Sequence, residues 1–230
     1  MYFEHASDIW REFPGLVPGA LLAGGITPEA DADRQVAGYS AIAAARLAGG
    51  SEAELPEIQA WRRAFSAMGL KPTQYRCASE SLLRRFRKEG SLPRIHPLID
   101  LCNAVSIAYA IPVAVFDLAE VTGFLQVRHA AGDEDYLTFA GQTEHLEAGE
   151  VIFADGAGRA HARRWTNRQS GRSAVREGTR SVLIVAEALH ATAADDVRLL
   201  TAALADELKT LWSAVAETAV LSPPSPRLEW

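Results

Sequence analysis

The segment PLIDLCNAVSIAYAIPVAVFD, residues 97–117, contains the change of pattern that decides the fold. Its first part begins with Pro97, a residue favoured in the first turn of a helix, and stays almost wholly apolar to about Ala110. This pattern predicts a helix that is buried on most of its surface. From Phe116 onward the apolar residues occur in short β segments. The segment therefore marks the boundary between a helical first part and a sheet-rich second part.

The residues before this segment predict one strand and three helices. The apolar residues from Gly15 to Ile26, interrupted by Gly and Pro, read as a buried strand. The helices are predicted from Thr27 to about Leu47, from Ser51 to Met68 with Ser51 and Glu54 as a capping box, and from Ser79 or Ser81 to Gly90.

The residues after it predict a mainly antiparallel sheet. Arg180–Leu189 is the longest apolar run in this half and reads as a central strand. A last helix is expected from about Ala194 to Val215, and residues 223–230 are expected to form a flexible tail. The predicted fold class is α+β, as one domain over residues 1–222 with helices first, then the sheet, then a C-terminal helix.

Composition excludes several classes of protein. No apolar run approaches the roughly 20 residues that a membrane span needs, and the N-terminus lacks the pattern of a signal peptide. The two cysteines, Cys77 and Cys102, are too few for a disulfide framework, and the six histidines are scattered. The sequence has no Gly-rich phosphate loop and no nucleophile elbow. We therefore expect a cytoplasmic protein with no cofactor, no bound metal and no membrane partner.

The net charge of −6 is unevenly distributed. Residues 1–60 carry nine acidic and three basic side chains, whereas residues 61–94 carry nine basic and two acidic ones. A second basic block, residues 159–180, has seven arginines and one acid, Glu177. These blocks are either solvated faces or a surface for a polyanion, because the distribution of charge, more than its sum, decides whether nucleic acid can dock.

Three stretches combine polar groups in a way that is typical of either structural contacts or a ligand site. They are Tyr75–Glu80, where polar residues lead into a helix; Ile99–Asn103, where Asp100 and Asn103 interrupt an apolar helix; and Arg163–Gly171, a polar loop after a strand. From the residues alone, the first is also readable as a helix cap, the second as an internal polar contact and the third as an exposed basic turn.

The order of the motifs resembles a known family. The series is Trp61–Pro72, Tyr75-Arg76, Ser79–Arg85, Leu92–Ile95, Leu98–Asn103, Pro112–Asp117, Val127-Arg128 and Gly149–Asp155. It is similar to the B3/B4 domain, the tRNA-editing module of the phenylalanyl-tRNA synthetase β subunit, and more closely to the free-standing B3/B4 proteins of bacteria. The resemblance covers about residues 60–190.

The resemblance implies hydrolysis of the ester that joins a wrong amino acid to a tRNA, with the mischarged tRNA as partner. Such a site needs a pocket for the side chain, donors for the developing oxyanion and a positioned water, and the tRNA hydroxyl itself can assist. The chain departs from the synthetase pattern at Ala114, where the family has His, and at Cys102, where it has Thr. The synthetase's own substrate is therefore not expected. A free-standing relative acts on canavanyl-tRNA(Arg), and we take this substrate as the hypothesis.

The resemblance assigns roles to residues in the matching motifs. The expected catalytic residues are Asn103, Gln169 and Ser170. The expected substrate-binding residues are Tyr75, Arg76, Glu80, Asp100, Cys102, Ala114, Asp117 and Trp165, with Glu80 as the first choice for binding a guanidinium-like side chain. The expected tRNA-binding residues are Arg84, Arg85, Arg87, Lys88, Arg164 and Arg168.

Two alternatives remain open at this stage. The first is a non-catalytic module of the same fold that binds tRNA or senses an amino acid. The second is a hydrolase of a small amino-acid ester or amide that uses no tRNA. Salt dependence separates them, because binding through phosphate contacts weakens steeply as salt rises.

Overall fold

Two β-sheets and six α-helices make up the computed structural model, which describes residues 1–230. The helices are α1 (Ser7–Glu12), α2 (Asp33–Leu47), α3 (Pro56–Ala67), α4 (Ala78–Glu89), α5 (Pro97–Tyr109) and α6 (Ala193–Trp212). The strands are β1 (Tyr2–His5), β2 (Val17–Gly24), β3 (Val113–Asp117), β4 (Phe124–His129), β5 (Asp135–Leu137), β6 (Thr143–His145), β7 (Val151–Asp155), β8 (Arg159–Arg163), β9 (Arg168–Gln169), β10 (Ser181–Ala188), β11 (Glu217–Val220) and β12 (Arg227–Glu229).

The larger sheet has eight strands in the order β12-β1-β4-β7-β8-β5-β6, with β9 added beside β8, and the smaller sheet has the order β11-β2-β10-β3. The pairs β1–β4 and β5–β8 are parallel, and all other pairs are antiparallel. The predicted α+β class with mainly antiparallel strands is confirmed, although the strands form two sheets instead of one.

Strand β10 shows how the layers are arranged, because its side chains alternate between two cores. Leu183 and Val185 belong to a core cluster shared with the larger sheet, which includes Phe153 of β7. Val182 and Ile184 belong to a second cluster that includes residues of α5 and α6. The smaller sheet is therefore the middle layer between the larger sheet and these two helices. By the same alternation, Glu187 lies on the side that faces the larger sheet.

Helices α4 and α5 follow their sequence signals closely. Helix α4 ends at Gly90, whose positive φ of 76° is accessible to glycine without a Cβ clash. Helix α5 begins at Pro97 after His96, whose ring accepts a hydrogen bond from the Leu98 amide. Its C-cap residue, Ala110, has a left-handed conformation with φ of 57°. Helix α5 is buried along most of its length, as its apolar sequence predicted.

The ends of other elements differ from the predictions for local reasons. Helix α2 begins at Asp33, not near Thr27, and the Asp33 amide donates to Asp31 Oδ1 at 3.0 Å. Ser51 Oγ donates to the Glu54 carboxylate at 3.0 Å, so these two residues close a short 3₁₀ turn and do not form a capping box.

Both chain ends are built into the sheets. Strand β1 lies between β12 and β4, so the chain does not begin with helices only. Residues 223–230, expected to form a flexible tail, include β12, which pairs antiparallel with β1 at Phe3–Leu228. Strand β11 also follows α6, so the chain does not end on a helix. None of the helices is long and apolar enough to cross a membrane.

Candidate active site

A narrow cavity lies between the two sheets, at the ends of β3, β8 and β10. The volume that a water-sized molecule can reach inside it is about 50 Å³. We call it the inter-sheet cavity, and its lining residues are Ala78, Pro112, Val113, Ala114, Phe153, Ala162, Trp165, Thr166, Asn167, Arg168, Gln169, Val185 and Glu187. Most of the lining is apolar, and a few polar groups converge on it, which is the usual composition of a small-molecule site.

Glu187 is the only acidic residue of this lining, and its side chain is 2% exposed. Its Oε1 atom accepts a hydrogen bond from Trp165 Nε1 at 2.8 Å and lies 2.7 Å from His5 Nε2. Its Oε2 atom has no hydrogen-bond partner within the chain. Because no group of the chain binds this oxygen, it is an acceptor for a ligand that brings a donor into the cavity.

Trp165 holds the carboxylate from an unusual backbone conformation. The φ angles of Arg164 and Trp165 are 47° and 55°, so two consecutive non-glycine residues are left-handed. This conformation is strained for L-residues, and such strain concentrates at functional sites. The Trp165 indole, fully buried, packs edge-on against the rings of Phe13 and Trp61 at 4.8 and 5.0 Å. The strained turn thus directs an indole N–H to Glu187.

The residues from Arg164 to Arg172, which we call the cavity loop, supply most of the other polar groups. Asn167 Nδ2 donates to the Arg76 carbonyl at 2.7 Å, and Gln169 Nε2 donates to the Val115 carbonyl at 2.5 Å. The Thr166 hydroxyl is buried and has no hydrogen-bond partner. The carbonyl of Thr166 accepts from the amide of Ala78, the first residue of α4. The loop is therefore fixed to the start of α4 and to β3, with the Thr166 hydroxyl left free.

Comparison with protein families decides what kind of domain this is. The model of the family described as B3/4 domain matches residues 60–205, which is more than half of the chain. The chain belongs to the B3/4 domain family. The predicted resemblance is thereby confirmed.

Curated relatives of this B3/4 protein are phenylalanine–tRNA ligase beta subunits. That of Cereibacter sphaeroides is 37% identical over 76 residues, which is 33% of this chain and 9% of the relative. That of Legionella pneumophila is 31% identical over 68 residues, or 30% of this chain and 9% of the relative. That of Shewanella oneidensis is 26% identical over 88 residues, or 38% and 11%. The aligned segment thus spans about a tenth of the length of these relatives.

A solved structure similar to this chain is an N-terminal fragment of the phenylalanyl-tRNA synthetase beta subunit from Pyrococcus horikoshii. It matches with a TM-score of 0.48 and 8% sequence identity, and the alignment covers 93% of this chain and 49% of that one.

Four of the site residues that the sequence predicted lie together in the B3/4 protein's cavity: Ala114, Trp165, Arg168 and Gln169. Ala114 pairs with Val185 across β3 and β10, and both line the cavity. Tyr75 lies beside the cavity loop, where its ring stacks under the Arg164 guanidinium at 4.6 Å. Arg76 contributes only its carbonyl, which accepts the bond from Asn167.

The three acids chosen from the sequence do not line the cavity. Glu80 is fully buried and accepts two hydrogen bonds from Arg62, at 2.6 and 3.2 Å, while Arg76 lies 3.3 Å away. Asp100 accepts from the Ile95 amide at the start of α5, and Asp117 accepts from the Ala119 amide and the Thr179 hydroxyl. All three carboxylates are thus bound by groups of the protein itself. The acid of the cavity is Glu187.

Three other predicted residues also lie outside the lining. Ser170 is fully buried, and its hydroxyl donates to the Leu137 carbonyl at 2.8 Å, so it holds β5 and does not reach the cavity. Cys102 belongs to the core cluster shared with α6, and burial raises the pKa of its thiol to about 12. Asn103 is half-buried, and its side chain makes no hydrogen bond.

The arginines predicted to bind tRNA fall into two groups. Arg84 and Arg87 lie 3.1 and 3.2 Å from the buried carboxylate of Glu52, and Arg85 pairs with Glu89 at 2.9 Å. Lys88 of the same helix is exposed. In the cavity loop, Arg164 is 4.0 Å from Glu150, and Arg168 is exposed with no carboxylate within 4.0 Å. The charges of α4 are largely neutralised, whereas Arg168 stays available at the cavity.

One group of side chains has the arrangement of possible metal ligands. Glu57, His190 and Asp196 offer donor atoms within 4.8 Å of one another. However, Arg46 lies 2.6 Å from Glu57, and His190 lies 2.8 Å from Asp196, so ionic and hydrogen-bond partners within the chain account for the cluster.

Sequence reasoning missed Glu187, although a signal was present. The residue interrupts the apolar run of β10 and shares the alternation of Leu183 and Val185, so it had to be a charge on a buried face. A buried acid in a central strand is a candidate ligand-binding group in its own right. His5 could not be found in this way, because only the fold brings β1 next to the end of β10.

Proposed function

We propose that this B3/4 protein is a trans-editing aminoacyl-tRNA deacylase, which hydrolyses the ester of a mischarged tRNA. The observation that carries the proposal is the unpartnered Oε2 atom of Glu187 in the lining of a narrow cavity. Membership of the B3/4 family supports a tRNA substrate, since the relatives are subunits of a tRNA ligase.

The proposed substrate is canavanyl-tRNA(Arg). The apolar wall, with Val113, Phe153 and Val185, accommodates the aliphatic part of a side chain. The Glu187 carboxylate accepts hydrogen bonds from the oxyguanidine group at its end, because charged acceptors bind guanidine-like donors strongly. Glu187 thereby takes the role that the sequence had assigned to Glu80, whose oxygens are bound by arginines.

Discrimination between canavanine and arginine has to come from chemistry, because the two side chains are nearly the same size. A difference of this size gives at most roughly a 10–200-fold preference from packing alone. The oxygen of canavanine withdraws electrons and makes its guanidine-like group less basic than that of arginine. Desolvation in a mostly apolar cavity penalises the permanent charge of arginine, whereas pairing with the Glu187 carboxylate favours it, so a preference for canavanine requires the first effect to exceed the second.

The cavity lining supports water as the nucleophile. It contains no Ser, Cys or His side chain, its Thr166 hydroxyl is buried, and Glu187 is bound by Trp165 and His5, so none of these is placed as a covalent nucleophile. The start of α4, where Ala78 lines the cavity, adds a favourable dipole for the carbonyl oxygen of the ester as it becomes an oxyanion. The hydroxyl of the terminal tRNA ribose can assist the attacking water.

A deacylation screen over mischarged tRNAs tests the proposal. We expect canavanyl-tRNA(Arg) to lose its amino acid faster than arginyl-tRNA(Arg), and Glu187→Gln to remove most of that activity. Asp117→Asn, a change at an acid outside the cavity, is the matched control. Hydrolysis of a different mischarged tRNA, with none of canavanyl-tRNA(Arg), rejects the substrate and keeps the reaction class.

The same lining also favours one alternative, a non-catalytic module that binds tRNA or senses an amino acid. Glu187 is the only carboxylate available there as a base, and it is already bound by Trp165 and His5. In this case the protein binds charged tRNA without accelerating its hydrolysis. Binding measurements beside the deacylation screen distinguish the two functions.

A further inference from the structure

An exposed aromatic side chain stands on the turn between β5 and β6. Phe139 is 70% exposed, whereas the preceding Thr138 is buried. A single exposed hydrophobic side chain is common on protein surfaces, so the meaning of this ring depends on the groups beside it.

This turn touches the cavity loop. The Gly171 amide donates to the Leu137 carbonyl at 2.8 Å. A Cβ at position 171 would lie 2.9 Å from the Thr138 carbonyl oxygen and 3.2 Å from Phe139 Cα, so only glycine allows this approach. The loop that contributes Arg168 and Gln169 to the cavity therefore continues directly past Phe139.

Arginines without acidic partners lie on both sides of Gly171 along the chain. Arg168, Arg172 and Arg176 have no carboxylate within 4.0 Å, in contrast to Arg163, which lies 2.6 Å from Glu144 and 2.9 Å from Glu150. Arg176 donates to the Gly171 carbonyl at 2.9 Å, which fixes its position beside the turn. The Nε atom of Arg172 is buried and has no hydrogen-bond partner.

We propose that Phe139, Arg168, Arg172 and Arg176, which we call the Phe139 surface, bind the single-stranded 3′ end of tRNA. An unpaired base stacks on the Phe139 ring, and the arginines contact the phosphates that follow it. A base-paired stem would not expose the face of a base to this ring. The proposal rests on the proposed function, because Arg168 belongs both to this surface and to the cavity that receives the ester.

The test uses uncharged RNA, so that it does not depend on hydrolysis. The probes are an acceptor-stem hairpin that ends in single-stranded CCA and the same hairpin without it, and fluorescence anisotropy measures the dissociation constants. We expect Phe139→Ala to weaken binding of the CCA hairpin by about 5- to 150-fold and to leave the blunt hairpin unchanged. Phe139→Trp should retain binding, because it keeps an aromatic face.

Salt dependence tests the arginines separately. For three phosphate contacts on a single strand, the slope of log affinity against log salt is expected to be about −2, and Arg172→Ala should make it shallower by roughly 0.7. Arg63→Ala, at an exposed arginine on α3 that also lacks an acidic partner, is the matched control and should leave the slope unchanged.

Two results overturn the proposal: equal binding of both hairpins by the wild-type protein, or full CCA binding by Phe139→Ala. Self-association that disappears in Phe139→Ala, measured by light scattering, assigns the surface to a second copy of the chain instead. A protein that binds CCA through Phe139 but hydrolyses no mischarged tRNA refutes the proposed function and leaves this surface standing. If the protein hydrolyses a mischarged tRNA and Phe139→Ala leaves the KM unchanged, the proposed function stands and the role of this surface is refuted.

Discussion

Helix α4 and the inter-sheet cavity each contain a buried glutamate, but the two carboxylates differ in their ionic and hydrogen-bond partners. Glu80 of α4 is bound by two arginines, and the neighbouring arginines of that helix are bound by Glu52 and Glu89. Glu187 has no cationic Arg or Lys partner, and one of its oxygens stays free. The difference teaches that a carboxylate paired with arginines of the protein contributes to stability, whereas a carboxylate with an oxygen left unbonded beside a cavity is available to a ligand.

The sharpest test of this contrast is Glu187→Gln. The amide keeps an oxygen that can accept the Trp165 bond, so the fold should persist, but the negative charge offered to the substrate is lost. Deacylation of canavanyl-tRNA(Arg) should fall by about 10- to 150-fold, the range for loss of a hydrogen bond to a charged group. Single-turnover kinetics measures it, and a melting temperature within a few degrees of wild type confirms the fold. Unchanged kinetics would place the contrast in doubt.

The complementary change is Glu80→Ala, which should affect stability and leave chemistry intact. It removes the carboxylate shared by Arg62 and Arg76, whose side chains are 26% and 28% exposed. Because water can partly solvate both guanidinium groups, we expect a loss of about 2 kcal/mol in the free energy of unfolding, less than the value for a fully buried pair. Urea unfolding measures this loss. Glu89→Ala, which unpairs only the exposed Arg85, serves as control and should change stability by less than about 1 kcal/mol.

Asp155 extends the comparison to a carboxylate held mainly by backbone. Burial raises the pKa of Asp155, but the nearby His161 ring and hydrogen bonds from the amides of Arg159 and Thr122 outweigh it and lower the pKa to about 2 from 3.8. The backbone bonds, at 3.0 and 3.1 Å, have the better geometry, since His161 Nε2 is 3.4 Å away. A depressed pKa means that the stability is present above pH 3.8 and is lost as the pH falls through about 2.

The expected loss from Asp155 is about 2 kcal/mol over that pH window. Urea unfolding between pH 5 and pH 2 measures it, with Asp155→Asn as the matched variant. The variant should start less stable and show a shallower decline with acid. An equally steep decline in both proteins would assign the acid sensitivity to other carboxylates.

The sequence predicts a structural feature of this protein well when the residues that determine it are close together along the chain. Helices α4 and α5 were predicted closely because Gly90 and Pro97 act within one or two turns. Four cavity residues were found because they lie in two continuous motifs, β3 and the cavity loop. The roles of Glu80 and Ser170 depend on partners far along the chain, Arg62 and Leu137, and no local pattern identifies those partners. The same applies to β12, whose place depends on β1.

Trp165→Phe tests whether the indole N–H positions Glu187. The change removes the 2.8 Å bond and keeps most of the aromatic contact with Phe13 and Trp61. We expect deacylation to fall by roughly 10-fold, because one hydrogen bond to a charged group is lost. In the double variant with Glu187→Gln, the loss of activity, expressed as a free energy, should be much smaller than the sum of the two single losses. This is expected for residues that act through one contact. Fully additive effects would mean that Trp165 contributes by packing alone.

The smallest expected effect separates the two sets of arginines. Arg168→Ala removes an exposed guanidinium that has no acidic partner beside the cavity, so KM for tRNA should rise about 3-fold at 0.1 M salt, and the salt slope should become shallower by roughly 0.7. Arg85→Ala removes a guanidinium that Glu89 already neutralises, so both quantities should stay close to wild type. Measuring KM at two salt concentrations compares them directly. If Arg85→Ala has the larger effect, tRNA docks on α4 although the arginines of that helix have acidic partners. Ion pairing within the chain would then not indicate where this fold binds RNA.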